Sequence, residues 1–404
     1  MPATEAARVV GLSLPPGDAF VRALDATWAR GDVALPLDPN APADVLRRTL
    51  DGMGAATVVD AAGEQEYAAD APAVEVDDAA LVIATSGSTG EPKGALLTHG
   101  ALQASAAATQ QRIGVRPDDS WLSCLPWQHI GGLQVLLRSQ LAGTPLTVHE
   151  RFDVTAVAET AATLVSLVPT QLARLLDAGV DLSRFRVILL GGAPASASLL
   201  QRAADAGAPV TTTYGMSETC GGCVYDGRPL DGVDVRLGDG GRVEIAGPVL
   251  MAGYRLRRDL TAEALSDGWL LTHDVGEYDD AGRLRIVGRT DDIVISGGEN
   301  VATPAVADVL AGHPAVADVA VTGVPDPQWG QRVVAVAVPR PAASVTLDEL
   351  RAWSADRLAA AALPRSLVLV GELPRLASGK PDRLAVRRIA QATLIQSVDA
   401  GSCE

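Results

Sequence analysis

The chain has very little lysine. Of its 33 basic residues only Lys93 and Lys380 are lysines, and the rest are arginine. The two cations part company where a compact charge on a thin, flexible stem must reach a phosphate or carboxylate oxygen. Both lysines stand beside glycines in loops, so they mark two stretches to read closely. Positive charge is scarce overall. The net charge is −16 with no basic stripe, which argues against nucleic acid or an anionic membrane as a partner. Aromatic residues make up 3%, so the cores must be built from Val, Leu and Ala within an apolar share of 48%. No run of about 18 apolar residues occurs, so no membrane insertion is expected. The start, Met-Pro-Ala-Thr-Glu, lacks the basic-then-apolar pattern of a signal peptide. Four cysteines suit a reducing compartment, and the expected location is cytoplasmic. Cys220 and Cys223 form a C-x-x-C with no second pair, while Cys124 and Cys403 are isolated. A structural zinc site wants four ligands, so free thiols are expected.

What is present centres on Leu81-Val-Ile-Ala-Thr-Ser-Gly-Ser-Thr-Gly-Glu-Pro-Lys93-Gly94. Four apolar or β-favouring residues predict a short buried strand. A loop of hydroxyls, glycines and a lysine follows, and a helix is expected to start near Thr98. A glycine-rich loop between strand and helix lets backbone N–H groups approach an anion while hydroxyls and an ammonium complete the cradle. A solvated Ser/Gly loop is the plainer reading of such composition. The preceding strand and the lysine favour a nucleotide-phosphate loop instead. A Walker A loop is excluded, because Pro92 precedes Lys93 and Gly94 follows it.

The run Thr85-Ser86-Gly87-Ser88-Thr89-Gly90-x-Pro-Lys93-Gly resembles the signature of the adenylate-forming superfamily of acyl-CoA synthetases, adenylation domains and luciferases. Further motifs follow in that superfamily's order, over roughly residues 80 to 390. A chain of 404 residues exceeds one compact core. The resemblance implies an α/β fold: a large N-terminal domain, residues 1–290, with α/β subdomains plus a β-rich subdomain. A small mobile α+β C-terminal domain, residues 291–404, would rotate about a hinge at Asp291. The N-terminal part is shorter than is usual in the superfamily.

Taken in order, Ala19–Arg30 reads as helix, Asp32–Leu37 as strand, Pro42–Leu50 as helix with Pro42 suited to its first position, and Ala56–Val59 as strand. The acidic, alanine-rich stretch from Asp60 to Asp78 reads as a surface connection. Thr98 is a candidate N-cap for a helix to about Arg112. Trp121-Leu-Ser-Cys-Leu-Pro-Trp-Gln-His129 is a strand running into a loop. A lone histidine is more often structural than catalytic; the resemblance places His129 beside the acyl pocket. Arg138 lies on the expected helix Leu133–Ala142, and either snorkels to the surface or clamps a carboxylate.

Ala162–Arg174 reads as a strand broken by Pro169 into a helix. The turn Gly191-Gly192-Ala193-Pro194 follows a buried strand and exposes bare backbone at the carboxyl end of a sheet, where α/β folds bind ligands; the resemblance sets it against the adenine. Tyr214-Gly215-Met216-Ser217-Glu218 resembles the superfamily's motif in which an aromatic stacks on the purine, a hydroxyl meets phosphate and a carboxylate holds Mg²⁺ through oxygen. Val233–Leu237, a Gly-Asp-Gly-Gly turn and Arg242–Ala246 read as a hairpin. Thr272-His273-Asp274 resembles the ribose motif, with His273 where glycine is usual, and Arg289 would contact the nucleotide. Gly297 and Gly298 would face coenzyme A.

In the C-terminal part, Thr346-Leu-Asp-Glu349 is a capping box, with Leu347, Leu350 and Leu358 expected on one helical face. Lys380, in a Ser-Gly-Lys loop, would reach the α-phosphate and the attacking carboxylate oxygen. The tail from Gln391 to Glu404 is expected to be poorly ordered.

The resemblance thus implies ATP, Mg²⁺ and coenzyme A as cofactors, with Lys380, His129 and Glu218 as catalytic residues. Several stretches, including the one carrying His129 and Arg138, most resemble the branch that joins o-succinylbenzoate to CoA in menaquinone biosynthesis. Arg138 would hold that acid's second carboxylate. A ligase for another aryl or fatty acid, or a non-catalytic nucleotide-binding paralogue, are the alternatives. The partners expected are these small molecules and no nucleic acid, and assembly as a homodimer is left open.

Overall fold

The computed structural model describes residues 6–86, 92–375 and 381–401. The chain divides into two compact units. The first comprises Met1–Arg236, Glu244–Thr272 and Tyr278–Leu284, and the second Leu237–Val243, His273–Glu277 and Arg285–Glu404.

The first unit holds two seven-stranded sheets. In one the order is Gly253–Tyr254, Pro92–Thr98, Ala79–Ser86, Val33–Pro36, Val9–Leu12, Ala55–Asp60 and Gly63–Glu66. In the other it is Arg228–Pro229, Gly221–Tyr225, Val210–Met216, Val187–Leu190, Leu164–Leu167, Trp121–Ser123 and Leu146–Val148. The inner strands Val9–Leu12, Val33–Pro36 and Leu164–Leu167 are buried along their whole length. That is why they are short continuous apolar runs, as parallel strands covered on both faces must be. The helices His99–Ile113 and Ile130–Ala142 pack on each other, and the first also touches strands of both sheets. Both are buried on most sides. Polar groups on them, among them Gln134, Arg138, Ser105 and Thr109, therefore lie inside the protein.

Most expected elements occur within a few residues. Observed are the helices Asp18–Ala29, Ala43–Met53, Pro169–Asp177 and Ala197–Asp205, and the strand–turn–strand over Asp234–Leu237 and Arg242–Ala246. Thr98 caps its helix, its Oγ1 accepting from the Ala101 N–H at 3.1 Å. Pro42 stands one residue before its helix, as the cap.

Three readings need correcting. The lysine-bearing loop does not join a strand to a helix. Pro92–Thr98 is a second strand, antiparallel to Ala79–Ser86, with Thr85 opposite Lys93. The helix begins only after it. The reason is Gly94-Ala-Leu-Leu, four consecutive buried residues that complete the sheet. Gly94 is required there, since a Cβ would stand 2.3 Å from the Met53 sulfur and 2.5 Å from Val82 Cγ1. Second, the stretch after Asp60 is not all connection. Gly63–Glu66 is an exposed edge strand paired with Ala55–Asp60, its sequence Gly-Glu-Gln-Glu being polar because both faces meet water.

The third correction lies in the second unit. Its sheet runs Glu299–Ala302, Ile293–Ser296, Gly330–Pro339 and Val316–Asp326, with Ser366–Leu369 parallel to Gly330–Pro339. Alternate residues of the central strand face two separate cores. Val333, Ala335 and Ala337 pack with Val306 and Leu310 of the helix Thr303–Ala311. Val334 and Val336 pack with Val386 and Ala390 of the helix Arg383–Gly401. So the segment after Gln391 continues a helix to Gly401, with Leu394 packed on the second core, where a poorly ordered tail was expected. The capping box is present: Thr346 Oγ1 accepts the Glu349 N–H at 3.3 Å, and Glu349 Oε2 accepts the Thr346 N–H at 2.8 Å. The helix ends at Ser354, so Leu358 packs on this core from beyond it. Gly297 and Gly298 form the tight turn between Ile293–Ser296 and Glu299–Ala302, with φ of 63° and 85°. That left-handed pair is the reason for two glycines.

Candidate active site

The parallel strands Leu164–Leu167, Val187–Leu190 and Val210–Met216 end along one edge of the second sheet. This is where such sheets receive ligands. Gly191 follows directly, its N–H donating to the Leu167 carbonyl at 3.1 Å. A Cβ on Gly191 would sit 2.2 Å from Thr213 Oγ1, so the neighbouring strand permits only glycine. Gly192, Ala193 and Pro194 continue as an exposed turn. Tyr214 and Gly215 close the third strand. Gly215 is equally constrained, a Cβ there falling 2.0 Å from the Gly221 carbonyl oxygen. Ser217 and Glu218 then sit in one turn of 3-10 helix.

Glu218 is 8% exposed, and a buried carboxylate needs partners. Two reach its Oε1. Lys93 Nζ donates at 3.1 Å, and the Tyr254 hydroxyl donates at 2.6 Å. Lys93 Nζ also donates to the Tyr254 oxygen at 2.7 Å. These three side chains form a closed ring. Burial pushes the Glu218 carboxyl up, but the Lys93 charge and the Tyr254 hydroxyl outweigh it and hold the group below the usual glutamate range. Tyr254 reaches this point because its strand lies at the sheet edge, with Tyr254 opposite Ala95, two residues from Lys93. Period-two alternation puts both side chains on one face.

Two residues of the expected acid pocket lie on the second inner helix. His129 caps the helix Ile130–Ala142. Crowding by protein atoms, partly countered by Asp38, keeps its pKa below the ordinary histidine value although its surface is exposed. Arg138 is 4% exposed. Its Nη2 donates to the Tyr225 hydroxyl at 3.4 Å and its guanidinium lies 6.0 Å from the Trp121 ring centre. Among the described residues its Nε has no hydrogen-bond partner and no carboxylate pairs with it. One turn earlier, Gln134 donates to the Cys220 carbonyl at 2.9 Å while its own Oε1 is unpartnered.

Thr85 donates its hydroxyl to the Lys93 carbonyl at 3.2 Å, and Ser86 ends the same strand. Gly87, Ser88, Thr89, Gly90 and Lys380 lie outside the described residues. Thr272, His273 and Asp274 form part of the strand Trp269–Tyr278, and Arg289 Nη1 reaches Asp274 Oδ1 at 3.4 Å. Thr290 donates to the His273 carbonyl at 3.2 Å, and the backbone of Asp291 lies in a 3-10 turn. The cysteines Cys124, Cys220 and Cys223 are free and buried, their thiols pushed up by burial, so none is a reactive thiolate.

Sequence reasoning missed Tyr254, whose partner Lys93 is 161 residues away. Nothing local marks such a contact. It also missed the ion pair of Asp119 and Arg186, which ties the start of one strand to the start of another.

A divalent metal fits the carboxylate. Glu218 offers hard oxygen, and the ammonium already beside it shows that the recess accepts positive charge. Among the described residues no cluster of three or more His, Cys, Asp or Glu could cage a metal. Magnesium ordinarily uses one or two carboxylates plus substrate phosphates. Among the same residues no helix is long and apolar enough to cross a membrane.

Residues 4–255 match the family model described as AMP-binding enzyme, and residues 305–380 its C-terminal domain. A probable 2-succinylbenzoate–CoA ligase of Mycobacterium tuberculosis is 46% identical over 336 residues, 78% of this chain and 85% of the relative. The 2-succinylbenzoate–CoA ligase of Bacillus cereus is 35% identical over 357 residues, 81% and 74% of the two chains. The o-succinylbenzoate CoA synthetase of Bacillus subtilis, solved with its acyl-adenylate intermediate, superposes with a TM-score of 0.82 at 30% identity, covering 95% of this chain and 88% of that one. The same synthetase solved with ATP and magnesium ion gives 0.81 at 30%, covering 94% and 89%. The chain belongs to the AMP-binding enzyme family.

Proposed function

We propose that this family member is an AMP-forming acid–CoA ligase that converts o-succinylbenzoate to its CoA thioester. One acid carboxylate attacks the α-phosphorus of ATP. A P–O bond forms, the α–β phosphoanhydride breaks, and pyrophosphate leaves with the bonding electrons. The CoA sulfur, having lost its proton, then attacks the acyl carbon and AMP departs.

An anionic nucleophile must approach an anionic phosphate, so the chain's task is to neutralise and align charge. Gly191 to Pro194 and Tyr214 offer backbone and an aromatic face to the adenine, and Ser217 a hydroxyl to phosphate. Glu218 would hold Mg²⁺, which when bound screens the phosphate charge. Lys93, with Thr85, Ser86 and the glycines to Gly90, would meet the outer phosphates. Asp274 and Arg289 would take the ribose and nucleotide. Lys380 would bridge the α-phosphate and the attacking oxygen. The second step would follow rotation of the C-terminal domain, residues 291–404, about Asp291, bringing Gly297 and Gly298 to CoA. His129 would wall the acid pocket.

The observation that carries the choice of acid is Arg138, a buried guanidinium that pairs with no carboxylate among the described residues. Removing a cation from water without pairing it costs several kcal/mol in proteins. A substrate that brings a spare carboxylate would supply the missing partner, and a benzoate or fatty acid would not.

Trapping the intermediate tests the reading. With ATP, Mg²⁺ and o-succinylbenzoate but no CoA, the acyl-adenylate should accumulate and be seen by mass spectrometry. Added CoA should discharge it as the thioester. Failure to form the adenylate would retire the proposal.

A further inference from the structure

We propose that Lys93 is the resident counter-ion of Glu218, and that it yields this carboxylate to a divalent cation only when nucleotide phosphates engage its ammonium group. The proposal rests on the reading of Glu218 as the metal-holding carboxylate.

Glu218 is almost fully buried, so in the nucleotide-free protein its charge must be met from within. The ring described above does this with one oxygen, Oε1, shared by the ammonium and the tyrosine hydroxyl. A dication binding that oxygen would stand next to the ammonium, and the two would repel each other in a poorly solvated recess. Metal alone must therefore displace Lys93, leaving the ammonium without its anion. Nucleotide removes that obstacle. Its phosphates offer Lys93 an equivalent anionic partner, so the exchange leaves no charge unpaired. Metal and nucleotide affinities are then coupled, with Lys93 as the link, and the coupling is reciprocal.

The residue type supports an exchanging role. This is one of two lysines in a chain that otherwise uses arginine. A guanidinium would clasp the carboxylate through two parallel bonds and keep it, whereas an ammonium on a four-carbon stem is a point charge that can swing away. The Lys93 side chain is 26% exposed, enough for movement towards solvent. Tyr254 is the positioning residue. It touches both partners, holding the ammonium at 2.7 Å and the carboxylate at 2.6 Å, so the carboxylate keeps a donor while its cation changes.

The test is Mn²⁺ binding to nucleotide-free protein, read from the electron paramagnetic resonance signal of free Mn²⁺. Lys93→Met should tighten binding at least tenfold over wild type, Lys93→Arg should not, and adding Glu218→Gln to Lys93→Met should abolish the gain. If Lys93→Met folds, as judged by circular dichroism, and gains nothing, the counter-ion proposal is overturned, and Mn²⁺-ATP binding in Glu218→Gln then tests the metal reading of Glu218 on its own. A gain that survives Glu218→Gln overturns both the proposal and the metal reading. Should Lys93→Met not fold, Lys93→Gln removes the ammonium while keeping a polar side chain there. It should tighten Mn²⁺ at least threefold, and no change there also overturns the proposal.

Discussion

Lys93 and Glu218 lie 125 residues apart in sequence, one within a strand of the first seven-stranded sheet and the other just after a strand of the second, and meet at 3.1 Å. Their contact closes the first unit at the point where the candidate nucleotide site begins. The Tyr254 hydroxyl completes it from the edge of the first sheet.

Arg138→Leu separates a ligand-binding arginine from a structural one. Replacing a buried, unpaired cation with an apolar side chain of similar volume is neutral or stabilising, so the melting temperature should hold or rise. Activity with the dicarboxylate should fall in kcat/KM by about 30-fold or more, the loss of a charged contact worth roughly 2–5 kcal/mol. An unchanged KM for the dicarboxylate would remove Arg138 from the site.

Gly215→Ala should disrupt the strand end that leads to Glu218. The new methyl would meet the Gly221 carbonyl at 2.0 Å, and backbone cannot step aside as a side chain can. Overpacking of this kind costs about 1–3 kcal/mol. Calorimetry should show ATP affinity reduced at least tenfold alongside the stability loss, and wild-type values for both would contradict the packing argument.

The pair of Asp119 and Arg186 gives a pH prediction. Asp119 is 2% exposed, and it accepts from Arg186 Nε at 2.8 Å, Arg186 Nη2 at 2.5 Å, the Arg116 N–H at 2.8 Å and the Thr163 hydroxyl at 2.8 Å. Burial pushes its carboxyl up, and these donors more than reverse that, so its pKa in the folded protein is lowered. A depressed carboxylate stabilises the fold above its unfolded pKa of about 3.9 and loses that contribution as pH falls through the folded value. Asp119→Asn should therefore cost on the order of 3 kcal/mol at pH 7. Urea midpoints for wild type and variant should differ equally at pH 7 and 5 and converge below about pH 4. A gap that widens on acidification would contradict the sign.

Much of the fold was legible because its signals are local. Pro169 marks a helix start, Thr346 and Glu349 form a box within one turn, and the run Val-Ile-Leu-Leu reads as a buried strand. The misreadings share a cause in tertiary packing. Gly94-Ala-Leu-Leu is a strand because Met53 and Val82 wait behind Gly94 and a neighbouring strand needs a partner. The helix Arg383–Gly401 forms because the far face of a sheet needs cover, which Val386, Ala390 and Leu394 supply. The site divides in the same way. Motif residues such as Glu218 could be named from sequence. Their partners Tyr254 and Tyr225 could not, since each contact joins distant segments without a signature of its own.

The most direct measurement is ATP- and CoA-dependent pyrophosphate release by the purified protein, comparing o-succinylbenzoate with benzoate and a medium-chain fatty acid. The account predicts turnover with o-succinylbenzoate at a kcat/KM at least about 100-fold above either monocarboxylate, the discrimination expected when a buried charge is left unpaired by the wrong substrate. Equal or better turnover with a monocarboxylate would contradict it.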